Sequence, residues 1–146
     1  MPLWLLKRVL KADLGRPDRE TFGVYDENDE YIGTVELYDI LGTVATLGII
    51  IGEKTHWGRG YGPEAVGALL DYGFGRLGLA RVRLTTFEDN PRAQAAFRKV
   101  GFEEEERVPA ANNRVDVKMA ITRGTWASRR RELQANLEQR HPRTLA

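Results

Sequence analysis

The sequence contains no cysteine, and only two of its 146 residues are histidines. The absence of thiols excludes disulfide bonds, thiolate metal sites and cysteine nucleophiles. His56 and His141 are too few to build a histidine metal centre by themselves. We therefore predict no metal site.

Long apolar segments are also absent. The most hydrophobic run, Val44 to Ile51, has the length of a strand and includes a threonine and a glycine, whereas a membrane helix needs about 18 apolar residues. The N-terminal run Leu3 to Leu6 is too short for a signal-peptide core, and charged residues follow it. We expect a cytoplasmic protein with no membrane partner.

The charge is nearly balanced, with 22 basic and 21 acidic residues. This balance excludes a wholly basic nucleic-acid binder, so no DNA partner is expected. Residues 123–146 are locally basic, with six arginines against two glutamates. We expect a helix that packs Trp126, Leu133 and Leu137 on the domain, and contact with the ribosome or RNA is the alternative.

The hydrophobic periodicity changes along the chain between helical and strand spacing. Leu3, Leu6, Leu10 and Leu14 share one helical stripe, which predicts an N-terminal helix within residues 1–20. The strands are predicted at Thr21–Tyr25, Tyr31–Ile40, Thr43–Ile51, Arg81–Thr86, Phe102–Val108 and Arg114–Ile121. The other helices are predicted from Pro63 to Leu77, from Pro91 to Gly101 and from Thr125 to Arg140.

These elements predict one α+β domain with a mixed, mostly antiparallel sheet and flanking helices. The first three strands have hairpin spacing and form an antiparallel meander. Residues 21–122 would form the core, between the N-terminal helix and the basic C-terminal helix.

A glycine-rich loop joins the third strand to the next helix: Trp57, Gly58, Arg59, Gly60, Tyr61, Gly62 and Pro63. Alternating glycines can turn backbone N–H groups inward, and the helix N-terminus adds positive potential, so the loop suits a pyrophosphate. A simple turn that starts a helix is the alternative. A dinucleotide-binding fingerprint fits poorly, because Glu53 to His56 separate the loop from its strand and the preceding strands form a meander.

A second motif follows at Asn90, in the stretch Asn90-Pro-Arg-Ala-Gln-Ala-Ala-Phe97-Arg-Lys-Val-Gly101-Phe102. Together with Leu47–Gly52, Trp57–Ala65 and the hairpin ending in Asp116–Ile121, it resembles the GNAT-type N-acetyltransferase superfamily. The resemblance covers about residues 20–122. Within the superfamily, the sequence is most similar to the branch of ribosomal-protein N-terminal acetyltransferases.

The resemblance implies that acetyl-CoA is the co-substrate and that a primary amine, on a protein N-terminus or a small molecule, accepts the acetyl group by direct attack. It places the CoA pyrophosphate on the loop from Trp57 to Pro63. The pantetheine arm would pair with Ile49, Ile50 and Ile51, where this strand splays away from its neighbour. Asn90 would bond the pantetheine and also cap its helix, and Phe97 would border the thiol. Core packing is an equal alternative for Trp57.

The family's usual acid and base residues are missing, because Thr46, Ala93 and Phe97 occupy positions where relatives often carry Glu, Ser and Tyr. The backbone N–H of Ile50 is the predicted oxyanion donor. Glu36, Glu53 and His56 remain as bases acting through water, or as solvated surface residues. An acyl-CoA-binding module that has lost catalysis is therefore the alternative function.

The resemblance also predicts a short N-terminus, because relatives begin with a strand and a helix that wall the acceptor cleft. Either the cleft is open or another chain completes it. We expect a homodimer formed through the N-terminal helix or through an unpaired strand edge at Thr21–Tyr25.

Overall fold

A computed structural model of the protein describes the backbone of residues 9–13, 17–52 and 61–140, and the side chains of residues 17–52 and 62–136. The strands are β1 (Val9–Asp13), β2 (Glu20–Tyr25), β3 (Tyr31–Leu41), β4 (Val44–Ile51), β5 (Arg81–Phe87), β6 (Glu103–Pro109) and β7 (Val115–Thr122). The helices are α1 (Tyr61–Gly75), α2 (Pro91–Val100) and α3 (Arg123–Arg140).

The described strands form one sheet in the order β1-β2-β3-β4-β5-β7-β6. Their pairing is antiparallel except between β4 and β5, which are parallel because α1 crosses over between them. The mixed α+β architecture is confirmed, and the predicted elements after residue 20 lie within a few residues of the observed ones.

The N-terminal helix prediction is wrong at Val9–Asp13, because these residues form β1 and pair antiparallel with β2. Leu3, Leu6 and Leu14 lie outside the described residues. The edge of β2 offers unpaired N–H and C=O groups, and satisfying them outweighs a weak helical propensity. The strand at Thr21–Tyr25 therefore has β1 beside it, and the prediction of an unpaired edge there is also wrong.

Alternation along β3 divides the sheet into an apolar face and a polar face. Val35 and Leu37 are fully buried, whereas Thr34, Glu36 and Tyr38 point to the other side. Helix α1 contacts β3, β4 and β5, and its buried side chains Leu69 and Leu70 join the core cluster with Val35 and Leu37. The chemistry of the site is therefore expected on the polar face and at gaps in the sheet.

The C-terminal helix is fastened to the domain by Trp126. Its side chain is buried, and its Nε1 donates to Oδ1 of Asp71 on α1 over 3.0 Å. Leu133 packs partly buried against the core, which confirms the expected packing of these two residues. The side chain of Leu137 lies outside the described residues. No described helix is long and apolar enough to span a membrane.

Candidate active site

Strands β4 and β5 separate half-way along their length. Within the described residues, the two strands pair from Val44↔Arg81 to Thr46↔Arg83. Both described strands continue beyond that point without pairing with each other. Beyond that point β4 stays paired with β3 and β5 stays paired with β7. The expected splay is confirmed, and it leaves a gap in the sheet that an extended ligand can enter.

A cavity of about 630 Å³ occupies the gap. Its lining residues are Thr34, Glu36, Tyr38, Leu47, Gly48, Ile49, Ile50, Leu84, Thr85, Thr86, Phe87, Asn90, Ala93 and Phe97. The structure thus brings together five residues that the sequence predicted for the site: Glu36, Ile49, Ile50, Asn90 and Phe97. Ile51 does not line the cavity and packs partly buried against the core.

Helix α2 carries Asn90 and Phe97 to the cavity. The Asn90 side chain accepts a hydrogen bond from the N–H of Ala93 at 3.2 Å, which confirms its capping role. The Phe97 ring packs edge-on against Phe102 with centroids 5.7 Å apart. Because Oδ1 of Asn90 serves the cap, its NH₂ group is the part that can donate to a ligand.

Sequence reasoning missed Gln94, which positions α2. Its side chain is 4% exposed, and Nε2 donates to the carbonyls of Phe87 at 2.8 Å and Glu88 at 3.2 Å. These two bonds fasten the first turn of α2 to the end of β5. The available signal was a glutamine three residues before Phe97, on the same face of the helix.

The direction of the backbone N–H groups along β4 follows from hydrogen bonds at its two ends. The N–H of Gly52 donates to Ile32 O at 2.8 Å, on the β3 side, and the carbonyl of Thr43 accepts from the segment just before β5. Because these directions alternate along a strand, the N–H of Ile50 faces β3 and that of Ile49 faces the gap. The prediction of Ile50 as oxyanion donor is therefore wrong, and Ile49 is in the suitable position.

Glu36 and Tyr38 stand two residues apart on β3 and share the polar face. The position that a Cβ would take on Gly48 lies 3.4 Å from Cγ of Glu36 and 3.4 Å from Cε1 of Tyr38. Glycine at this position therefore allows both side chains to lie directly against β4 at the start of the gap.

The Glu36 carboxylate is about three-quarters covered and has two polar neighbours. Its Oε2 accepts a hydrogen bond from Oγ1 of Thr21 at 3.4 Å and lies 3.5 Å from Nη1 of Arg19. Both contacts are long, so the carboxylate keeps room for a water or an amine. The other predicted bases, Glu53 and His56, lie outside the described residues.

Tyr38 is a second functional candidate that sequence reasoning missed. Burial raises the pKa of its hydroxyl, the nearby carboxylates of Asp39 and Glu36 raise it further, and Arg19 opposes them. The phenol is therefore protonated at neutral pH. Its signal in the sequence was the two-residue spacing from Glu36 on a predicted strand.

A second cavity of about 600 Å³ adjoins the first, and Tyr38, Leu84 and Thr85 line both. Its wall is mostly polar and includes Lys118, whose Nζ donates to Oγ1 of Thr85 at 3.1 Å, and Glu105, which forms ion pairs with arginines of β5. A molecule on the polar face can therefore reach the gap past Tyr38.

Only part of the glycine-rich loop lies within the described residues. Tyr61, Gly62 and Pro63 form the first turn of α1, which begins two residues earlier than predicted. The residues Trp57, Gly58, Arg59 and Gly60 lie outside the description, so their contact with a pyrophosphate stays a prediction.

Residues 4–103 match the family described as the acetyltransferase (GNAT) domain. The chain belongs to the GNAT acetyltransferase domain family. GNAT acetyltransferases use acetyl-CoA as their co-substrate, and the splayed strands described above give this member a gap for such a ligand.

Curated relatives carry acetyltransferase names. An uncharacterized N-acetyltransferase p20 from Bacillus licheniformis is 33% identical over 84 residues, which is 56% of this chain and 47% of the relative. A spermidine N(1)-acetyltransferase from Vibrio cholerae is 35% identical over 86 residues, 58% of this chain and 49% of the relative. The chain spans about half the length of the curated relatives it matches.

Solved structures agree with this GNAT assignment. The spermidine/spermine N-acetyltransferase SpeG from Vibrio cholerae superposes with a TM-score of 0.72 at 28% identity, over 79% of this chain and 71% of that one. The GNAT fold is thereby confirmed. These relatives do not single out the ribosomal-protein branch, which stays a prediction.

Proposed function

We propose that this chain is an acetyl-CoA-dependent N-acetyltransferase that moves an acetyl group to a primary amine by direct attack. The observation that carries the proposal is the cavity between the splayed strands, which gathers Ile49, Asn90 and Phe97 with Glu36 and Tyr38. The first three suit a thioester ligand, and the last two supply polar groups for proton transfer. A cytoplasmic location and a homodimer belong to the same proposal.

The CoA moiety would bind along β4 and reach the helix that follows it. Its pantetheine amide would pair with the backbone that faces the gap around Ile49, and the Asn90 NH₂ group would donate to the same arm. The pyrophosphate would lie on the loop from Trp57 to Pro63 and at the N-terminus of α1, where unpaired N–H groups and the helix dipole favour an anion.

The reaction forms an amide C–N bond and breaks the thioester C–S bond. A neutral amine attacks the carbonyl carbon, and the N–H of Ile49 stabilises the oxyanion that develops. Glu36 accepts the amine proton through a water, which typically adds about 10²–10⁴-fold to a rate. Holding both reactants in the gap supplies the orientation that an uncatalysed encounter lacks.

Two acceptor types deserve the first tests. The Vibrio cholerae relative is named a spermidine acetyltransferase, and spermidine offers primary amines of the required kind. The resemblance to the ribosomal-protein branch favours instead the α-amine of a protein N-terminus. Both would reach the gap from the polar face, past Tyr38.

The experiment measures CoA thiol release from acetyl-CoA with spermidine and with a peptide that has a free N-terminus. Turnover with either acceptor supports the proposed acetyltransferase function. Tight acetyl-CoA binding without turnover over a wider amine panel would favour the alternative, an acyl-CoA-binding module that has lost catalysis.

The variant Gly60→Val tests the predicted pyrophosphate site by calorimetry. Side-chain bulk at the point of phosphate approach should weaken CoA binding at least tenfold, or about 1.4 kcal/mol. Unchanged affinity in a folded variant would remove the loop from the proposed site.

A further inference from the structure

We propose that Tyr38 donates the proton to the departing CoA thiolate. The inference rests on the proposed acetyltransferase function and names a catalytic residue for it. It starts from an absence, because the helix position where GNAT relatives often carry a tyrosine holds Phe97 here, and a phenyl ring has no proton to give.

The other hydroxyl groups of the cavity are poorer acids, and each is either hydrogen-bonded or buried. The hydroxyl of Thr34 shares a hydrogen bond with Tyr31, Oγ1 of Thr85 accepts from Lys118, and Thr86 is buried. A phenol has an ordinary pKa of about 10, close to the value of about 8.5 for a thiol, whereas an aliphatic hydroxyl is a far weaker acid. Tyr38 is therefore the lining hydroxyl whose acidity suits the transfer.

The sheet places Tyr38 at the point where β4 and β5 part. It pairs across β3–β4 with Thr46, the last β4 residue that also pairs with β5. It lines both cavities and lies against Gly48, next to the Ile49 N–H that faces the gap. Within the described part of the chain its hydroxyl makes no hydrogen bond, so the proton is available to a ligand.

Burial and the carboxylates of its own strand raise the pKa of the phenol and keep it protonated. The charged groups that line the two cavities with it are Glu36 and Asp39 on β3, Arg83 on β5, Glu105 and Glu106 on β6, and Lys118 on β7, and the guanidinium of Arg19 lies 5.6 Å from its ring centroid. The two carboxylates of its own strand reinforce the effect of burial in raising its pKa, and Arg19 opposes them. Tyr38 thus carries its proton at the pH where the amine reacts.

Glu36 and Tyr38 together account for every proton that the reaction moves. Glu36 receives the amine proton through water while the new C–N bond forms. The tetrahedral intermediate collapses, the C–S bond breaks, and Tyr38 protonates the thiolate sulfur. The phenolate then recovers a proton from Glu36 through water, so that the amine proton replaces the one that Tyr38 gave to CoA, and both side chains return to their starting states.

The test compares Tyr38→Phe with the wild-type enzyme, on the acceptor that gives wild-type turnover. We expect kcat to fall at least tenfold while CoA affinity and melting temperature stay unchanged. Tyr25→Phe, which removes a hydroxyl from β2, is the matched control and should keep wild-type kcat. Adding Phe97→Tyr to the Tyr38→Phe enzyme should raise kcat at least fivefold above that of Tyr38→Phe alone, because it places a phenol where GNAT relatives often carry one.

A fluorinated tyrosine at position 38 provides the second readout. Fluorination lowers the pKa of the phenol, so the alkaline limb of the pH profile of kcat should move to lower pH. If Tyr38 had only a structural role, this limb would not move. The inference is overturned if Tyr38→Phe keeps kcat within twofold of wild type, or if that limb does not move. A wild-type protein without any turnover would instead reject the acetyltransferase function itself, and with it this step.

Discussion

At the scale of single residues, the proposed proton transfer depends on two side chains of one strand. Glu36 and Tyr38 reach the gap because β3 alternates its side chains and Gly48 leaves space for both. In the proposed function the family motifs on β4, the loop and α2 bind the thioester, and this strand provides the groups proposed for proton transfer.

Glu36→Gln tests the proposed base. The amide keeps the shape of the side chain but cannot accept the amine proton, so kcat/KM for the amine should fall at least tenfold, in line with typical base catalysis of about 10²–10⁴-fold. CoA affinity should not change. The control is Glu104→Gln, which changes an exposed carboxylate on β6 that pairs with Arg107. Steady-state kinetics compare the two variants, and an equal kcat/KM for the amine in both would contradict the role of Glu36 as a base.

Gln94→Ala tests the fastening of α2. It leaves the carbonyls of Phe87 and Glu88 without their buried donor, so we expect a loss of about 1–3 kcal/mol in the free energy of unfolding. Asn90 and Phe97 should also shift, which raises the KM for acetyl-CoA. Urea denaturation and kinetics measure both effects. Gln134→Ala, an exposed glutamine of α3, is the control, and equal stability of the two variants would refute the fastening role.

At the scale of elements, the site depends on how closely β3 and β4 approach each other at the open end of the gap. The position of a Cβ on Gly33 would lie 2.1 Å from the carbonyl oxygen of Ile50 and 2.9 Å from Cα of Ile51. Both are backbone atoms, which cannot rotate away. Glycine at 33 therefore allows the β4 segment that the pantetheine arm is proposed to follow to lie this close to β3.

Gly33→Ala should displace the Ile50–Ile51 segment. We expect a destabilisation of about 1–3 kcal/mol from overpacking, together with weaker CoA binding. Denaturation and calorimetry measure the two effects. Gly75→Ala at the end of α1 is the control, because a Cβ there meets no described atom within 4 Å apart from its neighbours along the helix. A Gly33→Ala protein as stable and as tightly binding as this control would contradict the argument.

At the scale of the whole molecule, one continuous sheet carries the candidate site, and three described α-helices pack on the domain. Helix α3 is tied to α1 through Trp126 and Asp71, and Arg130 adds an ion pair to the same carboxylate at 2.9 Å. The basic C-terminal segment therefore has a structural role in its described part. Contact of the remaining basic charge with RNA stays a prediction.

The homodimer prediction loses one of its two supports, because β1 pairs with β2. The other support is the apolar residues Leu3, Trp4 and Leu6, which lie outside the described residues. If they pack on a second copy, Trp4→Glu with Leu6→Glu should give a monomer that still binds CoA. Light scattering measures the molar mass of the wild-type protein and of the variant. A monomeric wild-type protein at about ten micromolar would contradict the homodimer, because a tight dimer has a Kd far below that concentration.

The sequence by itself determined the elements after residue 20 and the family. Local rules suffice there: the cap of Asn90 before Pro91, the Gly101 stop at a φ of 124°, and the two hydrophobic periods. The glycine-rich motif and the Asn90 motif are also local, so the residues they bring to the cavity could be predicted without coordinates.

The tertiary structure alone decided three other points. Val9–Asp13 became a strand because a distant segment supplied its hydrogen-bond partners. The N–H of Ile49, and not that of Ile50, faces the gap because the side toward which an N–H points depends on the register between strands. Tyr38 joined the site because sheet pairing placed it where β4 and β5 part. Each depends on contacts between residues far apart in the chain, which local periodicity does not encode.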